Sequence, residues 1–147
     1  MVFLFFGWLS VLGTYFLFSK QIDFLILLPA SSIGLLSTGV LNLNNMRDIE
    51  SDRLSNKLTL AGYFGPKQAN TYQQLLVVFA MALIGIYSVL TTNSYMSFLL
   101  IAFVPFCVHL NSVRKINNPK DYDPQLKVLA LSTFLLAIIF SICNIIV

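Results

Sequence analysis

Five long apolar runs, separated by polar or charged breaks, set the pattern of this chain. They are Val2–Phe18, Phe24–Leu43, about Leu75–Leu90, about Tyr95–Val113 and about Val128–Val147. Each is near the roughly 20 residues an α-helix needs to cross a bilayer. The runs are continuous rather than alternating, which predicts helices and not barrel strands. The third is short and is expected to extend through Thr91 and Thr92. Pro29 and Pro105 fall inside the second and fourth runs, where each is expected to bend the helix or free a carbonyl for a cavity. The predicted class is all-α: a multi-pass transmembrane helical bundle of five helices.

Composition agrees with that pattern. The chain is 57% hydrophobic and 10% charged, against roughly 25% charged for a soluble domain. The lipid bilayer is its expected surrounding. The formal charge is +3 and no basic run is present, so nucleic acid is excluded as a partner. Cys107 and Cys143 lie in apolar runs without ligand spacing, and both read as buried, inert thiols. The start lacks the basic segment of a cleavable signal. Its apolar run follows Met1 at once, which leads to the expectation that the chain begins within a longer protein.

The basic residues orient the bundle. Eight of the nine lie in two breaks, Arg47, Arg53, Lys57 and Lys67 in one, and Arg114, Lys115, Lys120 and Lys127 in the other. The opposite side has only Lys20, and the Thr92–Ser94 turn has no basic residue. By the positive-inside rule these two breaks face the cytoplasm. The expected location is the cytoplasmic (inner) membrane, multi-pass. The N-terminus and the loop bearing Asp48 and Asp52 are expected inside, and the C-terminus outside.

The densest polar stretch is Leu41-Asn42-Leu43-Asn44-Asn45-Met46-Arg47-Asp48-Ile49-Glu50-Ser51-Asp52-Arg53. Asn44, Asp48 and Asp52 recur every four residues, so a helix continuing the second run through Arg53 stacks them on one face. Two carboxylates and a carboxamide are oxygen ligands suited to Mg²⁺, which leaves positions for waters and phosphate oxygens. Arg47, Arg53 and Lys57 flank them and could hold a polyanion bridged by the metal. The competing reading is a set of solvated interfacial charges paired with one another.

Other features carry less chemistry. The second run holds Ala30, Ser31, Ser32, Gly34, Ser37, Thr38 and Gly39, which serve either close helix packing or room for a ligand beneath the acidic stripe. Gly7 and Gly13 read the same way, with packing favoured over room for a ligand. Gly62, Gly65 and Pro66 mark turns. Asp121 and Asp123 are two apart, which suits turn or cap residues better than metal ligands. Asp23 reads as interfacial, and the lone His109 as an interfacial or packing residue rather than a base.

The segment Asn44-Asn45-Met46-Arg47-Asp48-Ile49-Glu50-Ser51-Asp52-Arg53, followed by Lys57-x-Thr59-Leu60-Ala61, resembles the second aspartate motif of the UbiA superfamily of intramembrane prenyltransferases. Within it the motif is most similar to the 1,4-dihydroxy-2-naphthoate polyprenyltransferases of menaquinone synthesis. Gly13-Thr14-Tyr15 and Gly34-Leu35-Leu36-Ser37-Thr38 also resemble that branch. Two positions depart from it: Asn56 stands where the branch has Gly, and Tyr63 where it has Arg, so Tyr63 offers no cation there.

The resemblance implies a nine-helix fold with two aspartate motifs facing one cavity, of which residues 1–147 match the C-terminal part, helices five to nine. It implies a Mg²⁺-dependent transfer of a polyprenyl group from its diphosphate to 1,4-dihydroxy-2-naphthoate, with decarboxylation, giving demethylmenaquinone. Asn44, Asp48 and Asp52 would hold the metal, with Asp48 and Asp52 essential to catalysis. Arg47, Arg53 and Lys57 would bind the substrate diphosphate, and Tyr15 could stabilise a cation. The partners implied are a polyprenyl diphosphate, the naphthoate and the missing N-terminal half, without which this stretch is expected to be inactive. The alternatives are a UbiA-type enzyme with another aromatic acceptor, or a non-catalytic truncated homologue acting as a lipid-binding or assembly subunit. A transporter is disfavoured because the runs are almost free of charge.

Overall fold

The computed structural model describes residues 1–91 and 97–145, and every regular element among them is helical. The first helix, α1, covers Phe3–Ser19, with wide π-turns over Phe3–Leu12 and α-helix over Gly13–Ser19. It stops at Lys20, which takes a left-handed φ of 56°. The Asp23 carboxylate then accepts a 2.8 Å bond from the Leu25 amide, capping a 3₁₀ turn at Phe24–Ile26. Asp23, exposed at the start of a helix, acts as a cap.

Helix α2, Leu27–Arg47, is the central post, packed against α1 and against the long helices at Pro66–Leu90 and Asp123–Ile145. Its small residues explain that position. A Cβ added to Gly34 would lie 2.8 Å from the Phe3 carbonyl oxygen, and one added to Gly7 would lie 2.7 Å from that of Ala30. The α1–α2 crossing therefore requires glycine on both sides. The Ser32 hydroxyl donates to the Ala80 carbonyl at 2.9 Å, tying α2 to the first of those long helices. Gly13 takes the less favoured reading: nothing lies within 4 Å of its would-be Cβ, and it borders a hollow with Trp8, Leu12 and Tyr15. Pro29 sits in the first turn of α2, whereas Pro105 is interior to its helix.

Two short helices follow, α3 at Ile49–Leu54 and α4 at Leu60–Phe64. Helix α5 runs over Pro66–Leu90, starting well before the expected Leu75. Gly65, at φ 80°, turns the chain, and Pro66 pre-sets the first helical φ. Buried Ala69, Gln73, Leu76, Val77, Ala80, Ile84 and Tyr87 continue one face through the whole length. Hydropathy cuts this helix where it leaves the apolar zone. Thr91 caps its end, and Thr92 lies outside the described residues.

Helix α6 covers Leu99–Val113, while Tyr95 and Met96 of the fourth run and the Thr92–Ser94 turn lie outside the described residues. A 3₁₀ turn at Pro119–Tyr122 leads into α7, Asp123–Ile145; Ile146 and Val147 lie outside the described residues. Cys143 is buried as expected, but Cys107 is exposed. Cys107 shares the outer face of α6 with Leu100, Val104 and Val108, while Ala102, Phe106 and His109 face inward.

Phe24–Arg47, Pro66–Leu90 and Pro119–Ile145 are long and apolar enough to cross a membrane, and Phe3–Ser19 and Leu99–Val113 are shorter apolar helices. The chain is a multi-pass helical membrane bundle. Its two polar breaks meet at one end: Arg47 bonds Asp123, and Arg114 donates to Gln74 at 2.8 Å. At the other end the Tyr87 hydroxyl reaches Asn144 at 3.5 Å and its ring lies 5.2 Å from that of Phe140.

Candidate functional site

The polar stripe lies where α2 passes into α3. The expected single helix through Arg53 is instead two helices meeting at Asp48, whose backbone (φ −96°, ψ 12°) leaves the helical range. The ladder nevertheless survives the bend, with Asp48 N–H donating to the Asn44 carbonyl at 3.0 Å and Asp52 N–H to that of Asp48 at 2.8 Å. The four-residue backbone register is thereby kept, but the side chains divide: Asn44 and Asp48 meet at Arg47, and Asp52 turns to Lys57.

Arg47 organises the first half of the stripe. Its Nε and Nη2 grip both Asp48 oxygens at 2.8 and 2.9 Å, a two-pronged bond. Nη2 also reaches Asn44 Oδ1 at 2.8 Å, and Nη1 reaches Asp123 Oδ1 at 2.8 Å. Arg47, expected to face a substrate anion, faces the acids here. These hydrogen bonds, and the Arg47 charge behind them, hold the Asp48 carboxyl below its ordinary range despite partial desolvation; the Lys57 charge adds to the effect.

The second half is a separate pair. Asp52 is only 7% exposed. Lys57 Nζ lies 3.0 and 3.2 Å from its two oxygens, and the Lys57 amide donates to the Asp52 carbonyl at 2.8 Å. This tight return of the chain requires Asn56 at φ 54°. Gly or Asn suits such a left-handed position, so Asn56 in place of Gly keeps the local geometry. Arg53 is exposed and forms no ion pair among the described residues.

Two hollows adjoin the stripe. One, of about 780 Å³, is lined by Asp52, Arg53, Lys57, Thr59 and Tyr63 among others. Tyr63 presents a ring there, packed edge-on to Phe64 at 5.5 Å, where an arginine would present charge. The other, of about 470 Å³, runs beneath Asn44 between α1, α2 and α7 and is lined by Phe6, Ser37, Val40, Leu41, Leu126 and Ala130 among others. The small residues of α2 thus divide: Gly34 and Ser32 pack helices, and Ser37 leaves room for a groove.

Among the described residues no three His, Cys, Asp or Glu side chains group as a metal site. The donor set here is two carboxylates and a carboxamide. Asn44 Oδ1 and both Asp48 oxygens already converge on one cation, the Arg47 guanidinium. Hard oxygen donors aimed at a common positive centre are the chemistry Mg²⁺ takes, so Asn44 and Asp48 fit that ion, while the Asp52 carboxylate is turned to Lys57.

Two features escaped the sequence reading. Asp123, read as a turn or cap residue, begins α7 and also binds Arg47 from 76 positions away; no local pattern links the two. The second is a buried polar relay. Asn42 donates to the Ala69 carbonyl and to Gln73 Oε1, both at 3.1 Å. Gln73 Nε2 meets His109 Nε2 at 3.3 Å, and His109 Nδ1 meets Gln125 Oε1 at 3.0 Å. The Asn42 donor orients the Gln73 amide, so Gln73 donates to His109 Nε2 and the ring proton sits on Nδ1. His109 is fully buried in this relay, the packing role expected of it.

The profile of the UbiA prenyltransferase family matches residues 1–139. The 1,4-dihydroxy-2-naphthoate octaprenyltransferase of Haemophilus influenzae is 36% identical over 142 residues, which is 96% of this chain and 46% of that protein. The protein of the same name from Escherichia coli is 36% identical over 107 residues, 73% of this chain and 35% of its own length. That from Mycobacterium leprae is 43% identical over 77 residues, 52% of this chain and 26% of its own length. The chain spans less than half the length of these curated relatives. No solved structure gives a significant match.

Proposed function

The chain belongs to the UbiA prenyltransferase family, and from that premise we propose that it is the C-terminal part of a Mg²⁺-dependent membrane enzyme. The enzyme moves a polyprenyl group from its diphosphate to 1,4-dihydroxy-2-naphthoate, with loss of the carboxylate, giving demethylmenaquinone. The observation that carries this reading is that Asn44, bonded with Asp48 to one guanidinium, also lines an apolar groove. A diphosphate head and an isoprenoid tail need that juxtaposition of charge and hydrocarbon.

Asn44, Asp48 and Asp52 would hold Mg²⁺, which when bound supplies positive charge to the departing diphosphate. Arg53 and Lys57 line the adjoining hollow, where they bind and orient diphosphate oxygens. Phe6, Val40, Leu41 and Leu126 cover the prenyl chain and exclude water from the allylic carbon. The end bearing Arg47, Lys57 and Lys120 faces the cytoplasm of the inner membrane, as its basic residues direct. Turnover also needs the second wall of the cavity, supplied by the N-terminal half.

The test is product analysis. The full-length protein in membranes receives a polyprenyl diphosphate and Mg²⁺, with either 1,4-dihydroxy-2-naphthoate or 4-hydroxybenzoate as acceptor. A prenylated, decarboxylated naphthoquinol from the first acceptor alone is expected. Prenylation of 4-hydroxybenzoate instead changes the acceptor, and no product from either removes the enzyme reading.

A further inference from the structure

The candidate metal donors are not free. Arg47 lies about a third exposed, at 31%, and spends its guanidinium on Asn44, Asp48 and Asp123 together. Four N–H···O bonds at 2.8–2.9 Å meet oxygens from three residues. A divalent ion entering between Asn44 and Asp48 must first break the two-pronged bond to Asp48 and the bond to Asn44. The displaced guanidinium would retain only Asp123. A diphosphate changes that balance, because its paired oxygens match the planar fork of arginine as a carboxylate does.

We propose that Arg47 is a resident counter-cation that bars a free divalent ion from Asn44 and Asp48 until a diphosphate gives its guanidinium a new partner. This rests on the reading of Asn44 and Asp48 as metal donors. The consequence is an ordered site: metal affinity is low without diphosphate and rises when diphosphate is present. Charge alone does not make the bar. The fork makes four bonds to three residues, two of them side by side on Asp48, and a lysine ammonium has only three donors on a flexible stem and no planar two-pronged match.

The experiment uses full-length protein in nanodiscs of zwitterionic lipid, with Mn²⁺ as the probe. The electron paramagnetic resonance signal of free Mn²⁺ reports binding without any turnover. Each variant is compared with the same variant carrying Asp48→Asn, so that only the component dependent on Asp48 counts. Inorganic pyrophosphate is added in a second arm against a protein-free reference.

In the pyrophosphate-free arm, Arg47→Lys should tighten the Asp48-dependent component by about threefold or more over wild type, the scale set by an ion pair about a third exposed. Arg47→Gln should bind at least as tightly as Arg47→Lys. Pyrophosphate should strengthen Mn²⁺ binding in wild type and add much less in either variant. If Arg47→Lys binds Mn²⁺ no better than wild type while the Asp48-dependent component is present with pyrophosphate, the counter-cation proposal alone falls. If Asp48→Asn removes no Mn²⁺ binding in either arm, the metal reading and the proposal fall together.

Discussion

Replacing Asp48 by Asn separates what the carboxylate does for the fold from what it does for the reaction. The structural part can be worked from its contacts. Asp48 receives two bonds from Arg47, and the two side chains are 31% (Arg47) and 30% (Asp48) exposed. An ion pair so open to solvent contributes under about 1 kcal/mol. The Asn carboxamide still accepts one of the bonds, and Arg47 keeps Asn44 and Asp123. Stability should therefore change by under about 1 kcal/mol. Losing one metal ligand should cost roughly 3 kcal/mol of transition-state stabilisation, about a hundredfold in rate. Glu50 is exposed and off the stripe; it borders the hollow beside Arg53, where its charge would repel rather than hold a diphosphate, so Glu50→Gln should cost under about threefold, or well under 1 kcal/mol. The assay is prenyl transfer by the full-length protein at matched membrane expression, across a Mg²⁺ titration, with thermal midpoints measured alongside. The reasoning is refuted if Glu50→Gln is the more damaging change, if Asp48→Asn keeps a near-normal rate, or if its lost activity tracks lost folding.

Two further outcomes test the packing. Gly7→Ala would bring a Cβ to 2.7 Å from the Ala30 carbonyl oxygen and 2.9 Å from Gly34 Cα, both backbone atoms that cannot swing aside. It should destabilise by about 1–3 kcal/mol, whereas Gly13→Ala, with nothing within 4 Å, should be neutral or stabilise by roughly 0.5–1 kcal/mol; thermal unfolding in detergent reads both. His109→Leu leaves Gln73 Nε2 and Gln125 Oε1 without their buried partner. It should cost about 1–3 kcal/mol for the fully buried Gln73 group, Gln125 being partly open to water, and an unchanged thermal midpoint would show that the relay has other partners.

The sequence by itself determined the class, the number of apolar helices and the polar stripe, because these depend on properties carried within a few residues. Continuous hydropathy specifies a helix in lipid, where backbone groups must bond within their own segment. Four-residue spacing specifies a shared face, and at the break at Asp48 the backbone ladder was kept while Asp52 turned to a partner of its own, Lys57. The ends of helices were less legible: α5 begins at Pro66, in polar residues beyond the apolar run, because a helix persists past the zone that hydropathy detects. Only the tertiary structure decided which residues meet. The rotation of α6 turns His109 inward and Cys107 outward, although both lie in one apolar run. The crossing of α1 and α2 gives Gly7 a role and leaves Gly13 without one. Arg47 could have faced any anion at the membrane surface. It faces Asn44 and Asp48 and reaches Asp123 because α2 and α7 pack side by side, and a partner 76 positions away is chosen by packing rather than by local pattern.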